Sequence, residues 1–222
     1  RLKLTATTGT AYMWNGSTMV ERSYPSVSVE QNVEQTRVNK TFFGDLNADG
    51  VLEQFALRDG VVQVSGDSEK TIWQSDASWW VDDALIADAN NDGILDLALS
   101  VWKSGNYGKD MPSWVTTNDP AIRNHLFLFD LKGGKVQPIW QSSNLDRPNC
   151  ALDFADLGNG KQSLVVLEGD YTEPSVCTPQ YLAVWHWQTW GFVHDWRSEA
   201  ARFVDVRASD ERKTITADIA IE

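Results

Sequence analysis

The chain has 222 residues, with 31 Asp and Glu against 19 Lys and Arg, a formal net charge of -12, 11 Trp and two Cys. That acidity excludes a nucleic-acid ligand on electrostatic grounds, because phosphate contacts need a basic surface. No apolar run approaches the roughly 18 residues of a membrane span, so no membrane insertion is expected.

The length suits one domain with a full core, and the chain begins at Arg1, not Met, as a processed or trimmed product would. In chain order, residues 11–14 and 18–23 read as two strands about a tight turn, followed by a long connection over 24–40. The first of two acidic loops comes next: Asp45, Asn47, Asp49, Gly50 and Glu53 spell D-x-N-x-D-G-x-x-[DE]. Asp88, Asn90, Asp92, Gly93 and Asp96 repeat it. Side-chain oxygens at positions 1, 3, 5 and 9 of such a turn, with the backbone carbonyl of position 7 (Val51, Ile94), suit calcium, which takes several oxygen ligands in flexible geometry. An EF-hand would carry Glu at position 12 and flanking helices, but that position holds Ala56 and Leu99, and the flanking runs alternate as strands do. An acidic surface turn without metal is the other reading. Worn copies at Asp156 and Asp205 are expected to keep the turn without metal, Ser163 replacing the last carboxylate of one and Arg207 a ligand of the other.

A second motif, W-[QR]-S, recurs at Trp73, Trp140 and Trp196, each time closing a strand-turn-strand unit. One unit thus reads strand, acidic loop, strand, connection, strand, turn, strand, which predicts an all-β propeller of four four-stranded blades. The blades are 41–80, 83–143, 148–199, and a split blade of 201–222 with 1–23. Pairing N- and C-terminal strands in that last blade would close the ring and leave no open sheet edge. The W-x-S tryptophans are then expected between blades.

The blocks running from Phe43 to Gly50 and from Ile86 to Gly93 resemble FG-GAP/VCBS repeats, the calcium-loop blades of integrin α-subunit propellers and many bacterial surface proteins. The resemblance implies a structural calcium in the loops and an extracellular, cell-surface or periplasmic location. It implies no reaction, since such blades serve lectins, adhesion proteins and some polysaccharide lyases.

The longest insertions, 102–123 and 169–179, fall on the face opposite the acidic loops. Trp79, Trp80, Trp102, Tyr107, Trp114, Arg123, Arg147 and Tyr171 lie there, and aromatics among hydrogen-bonding groups suit a glycan or an extracellular protein segment. The expected function is therefore a calcium-stabilised binding module, with these eight residues as the binding set; a lid that fills the propeller channel would carry the same residues. A hydrolase on acidic glycans would instead need a carboxylate pair, available among Asp110, Asp119, Asp146, Asp170 and Glu173, and a calcium-assisted polysaccharide lyase would need Lys or Arg near a uronic acid, available in Lys103, Lys109, Arg123 and Arg147. A structural domain of a larger secreted protein is the third reading. His125, His186 and His194 belong to no catalytic motif. Cys150 and Cys177 are expected to pair as a disulfide, with two buried thiols as the alternative.

Overall fold

Short alternating apolar runs cut by Gly, Asn and Asp give sixteen strands among the described residues of the computed structural model. It describes residues 3–14, 18–30, 39–66, 70–106, 113–171 and 177–220, and of 3–14 and 21–30 the backbone alone. The strands form four antiparallel sheets of four. The first holds β3 (Lys40–Gly44), β4 (Glu53–Arg58), β5 (Val61–Ser65) and β6 (Thr71–Gln74), in that order. The second holds β7 (Trp80–Ala87), β8 (Asp96–Ser104), β9 (Ile122–Lys132) and β10 (Lys135–Gln141). The third holds β11 (Asn149–Asp156), β12 (Gln162–Gly169), β13 (Pro179–Gln188) and β14 (Gly191–Arg197). The fourth joins the chain ends: β15 (Phe203–Ser209), β16 (Thr214–Ala220), β1 (Lys3–Trp14) and β2 (Met19–Glu30), with Thr7 opposite Ala220 and Met13 opposite Thr214.

The W-x-S motif has a concrete role in three of these sheets. The serine closes a two-bond clasp on the start of the third strand. Val62 N donates to Ser75 Oγ (3.1 Å) and Ser75 N to Val62 O (2.9 Å). Leu126 with Ser142 (3.0 and 3.0 Å) and Leu182 with Ser198 (3.0 and 2.8 Å) repeat it. The tryptophan before each clasp packs on a core between sheets: Trp73 lies 5.1 Å from Phe129 of the second sheet, and Trp140 lies 5.7 Å from Trp187 and 5.6 Å from Phe192 of the third.

Three apolar clusters serve the four sheets. One, with Phe55, Leu57, Leu99 and Phe127, lies between the first and second; another, with Ala98, Leu128, Leu164 and Val166, between the second and third. The last, with Leu167, Leu182, Phe203 and Ile215, lies between the third and fourth. Among the described residues no fourth cluster joins the last sheet to the first. Contacts are dense within each sheet and sparse between sheets. The expected closed four-bladed propeller is therefore corrected: the four sheets are separate, and no ring closes. Repeats in sequence specify strand pairing within a sheet, whereas closure depends on side chains between distant sheets that no periodicity encodes.

The strand boundaries at the termini also move. β1 and β2 are longer than the runs 11–14 and 18–23, so half of the expected 24–40 connection is strand. Asp205 lies inside β15, paired with Arg207 (Nη2 to Oδ2 2.8 Å), so the worn fourth loop begins later, at Asp210.

Candidate metal loops and the long-loop face

The two acidic loops are superimposable in their hydrogen bonds. In the first, Asp45 accepts from Asp49 N (Oδ1, 3.0 Å) and Gly50 N (Oδ2, 2.8 Å), Asn47 Oδ1 accepts from Asp49 N (3.0 Å), and Asp49 Oδ1 accepts from Val51 N (2.8 Å). In the second, Asp88 accepts from Asp92 N (2.9 Å) and Gly93 N (3.0 Å), Asn90 from Asp92 N (2.9 Å), and Asp92 from Ile94 N (2.9 Å). Gly50 and Gly93 stand at φ +87° and +88°, a region that L side chains rarely adopt. The closing carboxylates are buried: Glu53 Oε2 accepts from Leu46 N (2.9 Å), and Asp96 Oδ2 from Ala89 N (3.0 Å) and Asn90 N (3.2 Å). Burial raises the pKa of both. It pushes Asp96 up to about 7, with the charges of Asp92 and Asp88 adding and the amides of Asn90 and Ala89 opposing.

The worn third loop shows what becomes of such a turn when ligands are lost. Asp156 Oδ1 still gathers the amides of Gly158 (2.8 Å), Asn159 (3.0 Å) and Gly160 (2.9 Å), and its other oxygen is paired with Lys213 Nζ from the fourth sheet. Lys213 first, and then those amides, hold the Asp156 carboxyl down to about 2. In the third loop an ammonium thus pairs directly with the first carboxylate.

Each intact loop offers three carboxylates and an amide oxygen, the hard donor set that calcium takes. In this arrangement the oxygens point at backbone amides, and among the described residues no three His, Cys, Asp or Glu side chains converge into a metal-holding group. The expected calcium-binding label for the two loops is corrected on that finding.

The long-loop face is corrected as well. Trp102 is only 3% exposed; its indole donates to Asp82, and its ring meets Tyr171 edge-on at 5.7 Å. Tyr171 in turn donates to Leu145 O (2.7 Å) and carries Arg123 over its ring at 4.7 Å. Trp79 packs against Phe127 at 5.1 Å, and Trp80 Nε1 donates to Asp82 at 2.9 Å. Arg147 pairs with Asp170 and covers the Tyr181 ring at 4.3 Å. Lys103, counted as a substrate cation, is buried against the carbonyls of Ser104 and Gly105, and burial lowers its pKa. Of the aromatic set only Trp114, at 81%, stands largely free of the fold, while Tyr107 lies outside the described residues, as do Lys109, Asp110 and Glu173. Neither the open recognition face nor a converging catalytic group appears among the described residues, so the expected binding module and the lyase or hydrolase alternative lose their geometric basis. Loop residues are usually exposed, but this cap is knitted by Asp82, which joins Trp80 to Trp102, and by Tyr171, which reaches Leu145 and Asn124.

Sequence reasoning also missed Lys132, which pairs with Asp130 and feels the charges of Asp92 and Asp96, and Lys213, which pairs with Asp156 of the third loop. The only signal was register: Leu97 opposite Phe129 puts Asp96 opposite Asp130.

Cys150 and Cys177 form a disulfide with Cα atoms 5.2 Å apart, which accords with an oxidising compartment. Comparison with protein-family models and with curated proteins found no match to the chain. Together with the four unclosed sheets, that corrects the expected membership of the FG-GAP/VCBS family.

Proposed function

We propose that the chain works outside the cytoplasm, at the cell surface or in the periplasm, and that its two intact acidic loops take up calcium in a way that stiffens the sheets they join. One observation carries the reading. Two loops in different sheets keep the same donor set, the same hydrogen-bond pattern and the same buried closing carboxylate, Glu53 or Asp96. A buried carboxylate among like charges is costly unless a cation joins it. A turn needed only for chain reversal has no use for that feature, and the third loop reverses the chain without it. Asp45, Asn47, Asp49 and Glu53 would hold one ion, with Val51 O; Asp88, Asn90, Asp92 and Asp96 would hold the other, with Ile94 O. Uptake requires the side-chain oxygens to leave the amides they now accept from.

The loops sit where stiffening would be felt between sheets. Gly44, at the base of the first loop, abuts Ile86, at the base of the second. Asn91, at the tip of the second, exchanges two hydrogen bonds with the backbone of Gln162 in the third sheet (3.0 and 2.6 Å).

Isothermal titration of calcium into metal-free protein tests the reading. Two ions per chain are expected in the wild type and one in either Asp45→Ala or Asp88→Ala. Absence of saturable binding at millimolar free calcium would overturn it.

A further inference from the structure

The worn third loop differs from the intact two at its base as well as in its turn. Register sets the three side by side. Gly44 stands opposite Glu53, Ala87 opposite Asp96 and Ala155 opposite Ser163, each pair directly flanking its loop. In the intact loops the buried carboxylate of that pair accepts from the second amide of the loop, Leu46 N or Ala89 N. The third loop has the shorter serine there. The matching amide, Leu157 N, has no acceptor among the described residues. The Ser163 hydroxyl has no hydrogen-bond partner among them either, although the residue is only 4% exposed. Buried polar groups left unpaired are costly.

A second difference faces the first. The residue before each W-x-S tryptophan is Ile72 in the first sheet and Ile139 in the second, but Asp195 in the third. Asp195 Oδ1 accepts from His186 Nδ1 (2.7 Å), which leaves Oδ2 for another donor. Between Ser163 and Asp195 lies a cavity of about 40 Å³, whose apolar wall is Met19, Leu157, Val184 and Trp196. Asn159 also borders it, with its Oδ1 accepting from Lys161 N (2.9 Å). One water needs roughly 10–15 Å³ of such space and a benzene takes roughly 150 Å³, so the cavity suits a molecule of about three or four heavy atoms.

The polar groups define that molecule. A carboxylate would meet Leu157 N but be repelled by Asp195. An ammonium would pair with Asp195 and leave Leu157 N unmet. A hydroxyl serves both: its oxygen accepts from Leu157 N and its hydrogen goes to Asp195 Oδ2. A short alkyl chain then lies on Met19, Val184 and Trp196, which a water in the same place would leave wetted. We infer that this cavity, opened where the third loop lost its closing carboxylate, is a binding site for a short-chain alcohol. The site involves no metal and stands apart from the calcium uptake proposed above.

Amide NMR spectra with n-propanol as the probe test the site. A saturable shift of the Leu157 amide is expected, with a Kd on the order of millimolar, and none with propionate or propylamine. Ser163→Asp puts a closing carboxylate back and should abolish the response. Asp195→Ile, at a half-exposed position, supplies the residue type of the other sheets and should weaken binding by about tenfold or more, as for one hydrogen bond to a charged group. The same spectra check that each variant is folded. A Leu157 shift that rises with n-propanol without saturating, wild-type-like binding in either folded variant, or saturable binding of propionate or propylamine at Leu157 would overturn the inference.

Discussion

His125 is fully buried on β9, its Nδ1 3.1 Å from Ser142 O and its Nε2 without a partner. Burial, aided by the Lys103 charge and opposed by the Ser142 and Ser143 carbonyls, lowers its pKa to about 4. The unfolded chain therefore takes up a proton on this ring near pH 6.5 that the folded chain refuses until about pH 4. Its contribution to stability is intact above pH 6.5 and is lost as pH falls toward 4, a loss on the order of 3 kcal/mol. Urea unfolding at pH 7.5 and 4.5 should show that loss, and His125→Gln should remove most of it. At Gly93, φ is +88° with open space around a built Cβ, so Gly93→Ala carries backbone strain alone and should cost about 1 kcal/mol in the same assay. The loop residues were legible because their spacing is local: D-x-N-x-D-G defines its own turn. Asp130 was not legible, because its relation to Asp96 exists only once β8 and β9 pair.

Strand existence was legible to within a few residues wherever apolar alternation met a turn signal, as at β4, β5, β11 and β12. The ends were less legible for β15, where Asp205 resembles a loop residue but lies within the strand, and for β1 and β2, where Ser and Thr replace the usual apolar positions beyond 11–14 and 18–23. The long insertions were the least legible, since nothing in Trp102 or Tyr171 announces that each buries the other. That packing yields a contrast. Trp102→Ala removes a buried ring and leaves Asp82 with the Trp80 indole in place of two indole donors, and should cost about 3–5 kcal/mol. Trp114→Ala should change stability by no more than about 0.5 kcal/mol. Denaturant midpoints of the two variants check this. The disulfide spans 27 residues about the 169–179 insertion, so replacing both Cys150 and Cys177 with Ala should cost about 3–4 kcal/mol, read in the same way.

At the scale of the molecule, four sheets share three apolar clusters, and polar links supplement them. Asp83 of the second sheet accepts from Leu152 N of the third (3.2 Å), and Asp153 of the third accepts from Ala208 N of the fourth (2.7 Å). Lys213 ties the fourth sheet to the third loop, and Asn91 ties the second loop to the third sheet. Charged and amide groups near the acidic loops thus carry part of the joining between sheets, and the proposed cations would add to it there. An ion that binds only the folded state stabilises it by about 2.7 kcal/mol at a hundredfold excess over its Kd. Two such ions should raise the melting temperature of a chain of this size by on the order of 10 °C. Calorimetric melting in millimolar calcium and in EDTA, at matched ionic strength, is the most direct test. The account predicts a rise of that order in the wild type, halved by Asp88→Ala and abolished by Asp45→Ala with Asp88→Ala; a wild-type melting temperature unchanged between calcium and EDTA would contradict it.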